Sequence, residues 1–124
     1  MNQKERKKLV KKLDIMWSEL VKKRAGNKCE YCGKSEYINS HHIFSRSSRS
    51  VRWDVDNGVC LCAGHHVFSS TFSAHKTGME FAAWIIERRG DGWYNKLRLK
   101  AHTASKPDFE ELYKTLKVEL DKND

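Results

Sequence analysis

The sequence predicts an α+β protein in which a small, metal-stapled core of two strands and a helix is wrapped by flanking helices. The chain has 124 residues, a length that suits one domain. Only 39% of the residues are hydrophobic and 32% are charged, so the apolar core is modest and a structural metal would help to stabilise it. Two ligand pairs, Cys29/Cys32 and Cys62/His65, bracket a segment whose pattern is typical of short strands.

The first predicted element is a basic helix over residues 3–25. Apolar residues recur there at three- and four-residue steps, with lysines between them. They are Leu9, Leu13, Leu20 and either Met16 or Trp17. We expect Gly26 to end the helix. The paired lysines along it suit a solvated face, which can also attract phosphate.

The central segment, residues 27–74, is predicted to form the stapled core. A turn holds the first cysteine pair, two extended segments flank a loop rich in serine and arginine, and a helix follows. In order, these elements are the turn 27–33, the extended segment 37–44, the loop 45–52, the strand 58–61 and a helix over 62–72 with His65 and His66 in its first turn.

Residues 78–122 are predicted to be C-terminal helices. Residues 78–89 carry a broad apolar face and residues 93–101 suit a short helix. Pro107 suits the first position of a last helix, and the tail 121–124 is expected to fray. With residues 1–26 as the N-terminal basic helix and 27–74 as the core, the whole chain 1–124 is predicted to be one domain.

The charge balance favours a polyanionic partner. The net charge is +8 and the isoelectric point is about 9.4, which makes nucleic acid the leading candidate and an anionic lipid surface its rival. No apolar run approaches a membrane-spanning length, and the charged N-terminus lacks the apolar segment of a signal peptide. We therefore expect a cytoplasmic protein without a membrane partner. In that reducing compartment, paired cysteines indicate a metal rather than disulfides.

The two ligand pairs predict one structural zinc site. Cys29, Cys32, Cys62 and His65 supply the four ligands that a closed tetrahedral site needs. Cys60 is an alternative to Cys62, but two ligands only two residues apart are a tight spacing for one metal. We favour Cys62 as the ligand and Cys60 as a small buried apolar residue.

The histidines inside this staple predict a second, catalytic site. His41 and His42 are adjacent in an extended segment, so their side chains point to opposite sides. His41 can meet His66 and hold a divalent cation there, which would stabilise charge that develops on a scissile phosphate. His42 can then take the proton from the attacking water.

Other side chains near the histidines carry weaker signals. Arg46, Arg49 and Arg52 follow His42 in a loop and suit phosphate oxygens, since guanidinium groups form paired hydrogen bonds to them; solvated loop charges are the alternative. Trp53 is most simply a core or loop anchor. His75 can reach a phosphate, although a plain surface position explains it equally well.

These residues resemble the HNH nucleases, whose ββα-metal motif cleaves DNA. His42 is similar to the first motif histidine, the general base, and His41 matches the metal ligand before it. Asn57 is similar to the middle asparagine, which braces the loop between the strands, and His66 matches the last motif position, a metal ligand. Residues 29–66 carry the resemblance, with weaker support from residues 17–28.

The resemblance implies a metal-dependent DNA endonuclease, a phosphodiester hydrolase associated with a phage or mobile element. Its expected cofactors are structural Zn²⁺ and a catalytic Mn²⁺, Ni²⁺, Co²⁺ or Mg²⁺. Its expected partners are DNA and other phage DNA-processing proteins. Because His41 and His66 present imidazole rather than oxygen, we expect the borderline transition metals to support faster cleavage than Mg²⁺.

Two alternatives remain open. Residues 52–57, together with Gly78 and the following Glu80-Phe81, are similar to phage recombination nucleases of the NinG/Rap type, which act on branched DNA. Two positions depart from that pattern, His65 where those proteins have Cys and His66 where they have Asn. The other alternative is a zinc-stabilised DNA-binding module without catalytic activity. The presence of His41, His42, Asn57 and His66 together argues against it.

Overall fold

Six regular elements build a mixed α+β architecture in the computed structural model, which describes residues 1–122. They are α1 (Gln3–Arg24), β1 (Ile38–His42), β2 (Gly58–Cys62), α2 (Gly78–Arg89), α3 (Asp91–Ala101) and α4 (Phe109–Asp121). A 3₁₀ turn, Val55–Asn57, precedes β2, and a π-helical turn, Gly64–Phe68, follows it. The predicted α+β class is confirmed. Within residues 1–122, the apolar stretches of the helices are too short for a bilayer crossing.

Helix α1 starts and stops where the sequence predicts. Asn2 caps it, since the side-chain oxygen accepts a hydrogen bond from the backbone N–H of Glu5 (2.8 Å). Gly26 and Asn27 have positive φ values of 67° and 57°, a left-handed exit that glycine and asparagine adopt most readily. Both Met16 and Trp17 are buried, so the apolar stripe is wider than the sequence pattern required.

Helix α4 packs against α1 and closes the first apolar core. That core holds Leu13, Trp17 and Leu20 of α1 together with Phe109 and Leu116 of α4. Asp108 caps α4 by accepting hydrogen bonds from the N–H groups of Glu110 and Glu111. Pro107 therefore lies just before the cap. The prediction that Pro107 is the first residue of the helix was wrong by two residues. The tail 121–124 is predicted to fray, but Asp121 still belongs to α4. Asn123 and Asp124 lie outside the described residues.

The two strands form an antiparallel pair that places the histidines. In the register, His41 lies opposite Val59 and His42 lies opposite Gly58. β2 is buried along its whole length. Val59 and Leu61 of β2 pack with Phe81 and Ile85 of α2 in the second apolar core. The sheet is thus held between α1 and α2.

The predicted helix over 62–72 is only a single π-helical turn, Gly64–Phe68, and the rest of that segment is irregular. Side chains that compete with the helical ladder explain the difference. The hydroxyl of Ser69 accepts a hydrogen bond from the N–H of Phe72 (3.1 Å). The hydroxyl of Thr77 accepts from the N–H of Ser73 (2.9 Å) and donates to its carbonyl oxygen (2.9 Å). Residues 69–77 therefore fold as a loop that returns to the strands.

Gly58 lies where α1 approaches the sheet most closely. A Cβ atom added at this position would lie 2.2 Å from Cγ2 of Val21 and 2.9 Å from Cζ2 of Trp17, both of which are buried side chains. Gly58→Ala should therefore destabilise the fold by about 1–3 kcal/mol, the usual cost of overpacking a core. Urea unfolding of the metal-loaded protein measures this change.

Gly78→Ala is the matched control for that substitution. Gly78 begins α2 without a positive φ, and a Cβ atom added there would meet no other atom within 4 Å. Since alanine favours helices more than glycine does, Gly78→Ala should leave stability unchanged or slightly raised. Equal stability of the two alanine variants would contradict the close approach at Gly58.

Candidate metal centres

The first ligand pair lies on a tight turn that β2 and α2 hold in place. The N–H of Cys29 donates to the carbonyl of Lys34 and the N–H of Gly33 donates to the carbonyl of Cys29, both at 2.8 Å. Gly33 has a φ of 79°, which closes the turn in a conformation natural to glycine. The N–H of Glu30 donates to the carbonyl of Cys60 in β2 (2.8 Å), and Arg89 of α2 forms an ion pair with the Glu30 carboxylate (3.1 Å).

The four predicted structural ligands converge. Sγ of Cys62 lies 3.2 Å from Nδ1 of His65, Sγ of Cys29 lies 3.7 Å from the same nitrogen, and the sulfurs of Cys32 and Cys62 are 3.9 Å apart. All four ligand atoms lie within 4.8 Å of one another. Around a tetrahedral zinc, neighbouring ligand atoms are about 3.5–3.8 Å apart. The predicted Cys29–Cys32–Cys62–His65 cluster is confirmed as a site compatible with such a metal.

The pKa values of the Cys29 and Cys60 thiols shift in opposite directions, while that of the ligand Cys32 is also raised, chiefly by burial. Burial raises the pKa of Cys29, but hydrogen bonds from the backbone of Cys62 and Cys32 and from the His65 ring outweigh it and lower that pKa to about 6. Burial raises the pKa of Cys60 to about 11. The lowered pKa of Cys29 favours the thiolate that a metal needs, and the position of Cys60 distinguishes it from the ligands, because it is fully buried in the first apolar core. Cys60 lies outside the four-ligand cluster, as predicted.

A second cluster consists of three histidines. Nε2 of His66 lies 3.2 Å from Nδ1 of His41 and 3.1 Å from Nε2 of His75. One ring nitrogen carries at most one hydrogen, so His66 cannot donate to both neighbours. Nitrogens bound at about 2.0–2.1 Å to a common cation lie about 3.0–3.4 Å apart, which matches both separations. The three side chains therefore fit a divalent cation better than they fit a hydrogen-bonded chain.

The protonation state of these rings also suits a metal. Burial, reinforced by His66 and His75, lowers the pKa of His41 to about 3. Burial and then His75 lower the pKa of His66. Both rings are therefore neutral at pH 7 and can offer lone pairs to a cation.

His75 is a candidate ligand that sequence reasoning missed. The sequence suggests a phosphate contact or a plain surface residue, but the ring joins His41 and His66. The loop 69–77 brings it there: the N–H of His75 donates to the carbonyl of His66 (3.0 Å) and the N–H of Ala74 donates to the carbonyl of His65 (2.8 Å). No standard ligand spacing connects His66 with a residue nine positions later, so the sequence held no clear signal.

His42 lies on the other side of β1, against α1. Its ring stacks on Trp17 with centroids 3.7 Å apart and planes 8° from parallel. Its Nε2 lies 2.9 Å from the carbonyl oxygen of Arg52, which can only accept, so Nε2 carries the hydrogen. Burial lowers the pKa of His42, although the Arg52 carbonyl opposes that change. The ring is thus neutral at pH 7, with its lone pair on Nδ1.

Asn57 braces the loop between the strands, the place predicted for it. The side chain is fully buried. Its oxygen accepts from the N–H of Phe44 (2.7 Å), and its amide nitrogen donates to the carbonyls of Phe44 (3.0 Å) and Val51 (3.1 Å). These bonds connect both ends of the loop that follows β1.

The three loop arginines do not share one role. Arg46 and Arg49 are exposed, as a phosphate contact requires. Arg52 instead forms a two-point ion pair with Asp14 of α1, at 2.8 Å and 3.1 Å, and only 13% of its side chain is exposed. The expectation that Arg52 binds DNA is corrected, because its guanidinium is already paired with Asp14 and holds the loop against α1. Trp53, a predicted anchor, is buried and donates to the same carboxylate (2.8 Å).

Comparison of the chain with protein-family models, with curated proteins and with solved structures finds no match. The function proposed below therefore rests on the two clusters and on the charge of the chain.

Proposed function

We propose that this chain is a metal-dependent DNA endonuclease with an HNH-type ββα-metal active site. One observation carries the proposal: His41, His66 and His75 converge on one side of a short antiparallel pair, and the neighbouring His42 is held as a neutral ring on the other. A purely structural metal is already provided for by the cysteine cluster. A second site built only of imidazoles suits chemistry rather than stability.

The ligands of the second site would hold the catalytic cation. A divalent cation bound by His41, His66 and His75 would supply Lewis-acid stabilisation of the charge that develops on the phosphoryl oxygens. Imidazole favours borderline transition metals, while Mg²⁺ prefers oxygen ligands. The set of three nitrogens therefore supports the expected preference for Mn²⁺, Ni²⁺ or Co²⁺.

His42 is the proposed general base. Because Nε2–H is anchored on the Arg52 carbonyl, Nδ1 is the atom that can accept a proton from the attacking water. The water oxygen then forms a bond to phosphorus while the bond to the leaving deoxyribose oxygen breaks. Trp17 and Asn57 fix the ring and the loop behind it, so the base does not have to be ordered during the reaction.

DNA is the proposed substrate because the charge surplus attracts a polyanion. The chain has a net charge of +8, and Arg46 and Arg49 are exposed in the loop after β1. The Asp14–Arg52 pair holds their loop against α1, so these cations are presented on an ordered segment.

A nicking assay tests the proposal directly. Purified protein is incubated with supercoiled plasmid and no added metal, or with Mn²⁺, Ni²⁺, Co²⁺ or Mg²⁺ at equal concentration. We expect nicking only with added metal, fastest with a transition metal. Four-way junctions and single strands run alongside compare branched with plain substrates. Binding without cleavage in every metal would favour the non-catalytic module instead.

Variants of His75 test the ligand set. His75→Ala should raise the Mn²⁺ concentration needed for half-maximal nicking by about tenfold or more, since even residues behind a ligand contribute about 10–100-fold to metal affinity. His102→Ala is the matched control, because His102 is exposed and lies outside the cluster. A His75 variant that responds to Mn²⁺ like wild type would remove His75 from the site.

His66→Asn and His66→Ala refine the same test. Asparagine offers an oxygen at a similar reach, so His66→Asn should keep measurable activity and shift the preference toward Mg²⁺. His66→Ala should be much less active in every metal. Identical behaviour of the two variants would mean that His66 does not bind the cation.

A further inference from the structure

A basic groove lies between the N-terminal half of α1 and the loop after β1, away from both ligand clusters. Its cavity volume is about 480 Å³. The lining residues are Gln3, Arg6, Lys7, Val10, Lys11 and Asp14 of α1, and Arg49 of the loop. Four of these seven residues are cations contributed by two separate segments of the chain, and one is an acid.

The cations of the groove are free to meet a ligand. Arg6, Lys7, Lys11 and Arg49 are exposed, and within residues 1–122 none of them forms an ion pair. Arg6 is steadied by the ring of Phe109, whose centroid lies 5.4 Å from the guanidinium carbon. Unpaired like charges that face one cavity repel each other, which costs stability unless a polyanion occupies it.

The single acid of the groove does not offset them. Both oxygens of Asp14 are committed to the Arg52 guanidinium, and one also accepts from the indole N–H of Trp53. The Asp14 carboxylate is therefore neutralised by an inward-facing partner. The same ion pair holds the loop against α1 and so brings Arg49 alongside Lys7 and Lys11.

Two residues, Asp14 and Arg52, connect the groove to the proposed general base. Asp14 lines the groove and binds the side chain of Arg52, and the carbonyl of Arg52 accepts the Nε2–H of His42. Lys7 and Lys11 are one helical turn apart, about 6 Å along the axis, which spans about two nucleotide steps of a duplex strand.

We propose that this groove binds the DNA sugar–phosphate backbone away from the scissile phosphate, with Lys7, Lys11 and Arg49 as the phosphate contacts. The inference rests on the proposed function for the identity of the DNA as substrate. It assigns affinity to one face of α1 and leaves the other lysines of that helix outside the contact. The contacts carry no base recognition, so they act on any sequence.

Two charge-matched triple variants test the groove. The first combines Lys7→Gln, Lys11→Gln and Arg49→Gln, and spares Arg6 because it packs on Phe109. The control combines Lys8→Gln, Lys96→Gln and Lys106→Gln, three exposed lysines that do not line the groove. Both variants lose three positive charges. Circular dichroism and zinc content verify that each is folded.

Binding is measured by fluorescence anisotropy on a short duplex between about 50 and 200 mM NaCl, the range over which phosphate contacts show most clearly. No divalent cation is added, so cleavage does not intervene. For the groove variant we expect the slope of log affinity against log salt to fall by about three, one for each cation removed from a phosphate, and affinity to fall by about tenfold or more. The control variant should keep the slope of wild type.

Equal effects in the two triple variants, or an unchanged slope in the groove variant, would overturn the proposal. The same proteins are tested on vesicles that contain phosphatidylserine. A groove variant that no longer binds the vesicles but keeps its duplex affinity would assign this face to a lipid surface and also overturn it. The nicking assay separates the two proposals. If only the groove proposal fails, wild type still nicks but does not depend on the groove. If only the nuclease proposal fails, wild type binds DNA through the groove but does not nick it.

Discussion

Replacing His42 with alanine is expected to lower the initial rate of plasmid nicking by about 100-fold or more while duplex affinity and zinc content stay near those of wild type. A general base contributes about 10²–10⁴-fold to the rate and little to binding of the ground state. The measurement is the initial nicking rate at saturating metal, with anisotropy and elemental analysis on the same preparation.

The variant His42→Gln distinguishes a catalytic role of His42 from a structural one. His42 also donates to the Arg52 carbonyl and stacks on Trp17, so the alanine variant removes these interactions as well as a base. Glutamine keeps a donor for that carbonyl but has no basic nitrogen. It should be as inactive as alanine. A glutamine variant that nicks within a few-fold of wild type would reduce His42 to a positioning residue and require another group to take the proton.

Replacing Cys29 with serine is expected to unfold or aggregate the protein. A structural zinc site contributes an apparent ~10–16 kcal/mol to folding, whereas a whole domain is stable by only about 5–15 kcal/mol. Removing one of the four thiolate and imidazole ligands therefore removes most of the stability of this modest core. Elemental analysis and circular dichroism of protein purified without added metal check the result. Wild type should hold one zinc per chain, and soluble, folded protein with less than about half an equivalent would contradict the prediction.

Cys60 and Cys62 provide the internal controls. Cys60→Ser should keep the zinc, because the Cys60 thiol lies in the first apolar core and outside the ligand cluster. Cys62→Ser should lose it, because Sγ of Cys62 lies 3.2 Å from the His65 nitrogen. Zinc loss in Cys60→Ser without unfolding would reverse the assignment of the two residues.

Local patterns predicted much of this molecule. The apolar stripe and exit of α1, both short strands and the start of α2 follow from periodicity and from glycine positions, which involve only neighbouring residues. The ligand pairs Cys29/Cys32 and Cys62/His65 are equally local, because each pair sits within one turn of chain. The hydrogen bonds of Asn57 connect Phe44 and Val51 of the loop after β1, close to the position at which the sequence pattern placed a brace.

The sequence pattern was misleading where side chains compete with the backbone. The apolar and histidine positions after Cys62 suit a helix, but the serine and threonine side chains between Ser69 and Thr77 satisfy the backbone in a loop instead. That loop is the reason that His75 reaches His41 and His66. A histidine that the sequence places equally well on the surface thus belongs to the candidate metal site.

The sequence by itself determined the ligand types, their pairing and the charge of the chain, since these are properties of residue identity and short spacing. Only the tertiary structure decided which of the charged side chains are paired within the protein and which remain available to a ligand. Arg52 binds Asp14, 38 positions earlier in the sequence, and is therefore removed from the predicted DNA contacts, while Arg49 lies with the lysines of α1. Gly58 permits α1 to approach the sheet and stack Trp17 on His42. Such contacts depend on how distant segments pack, and no local periodicity encodes the packing of one segment against another.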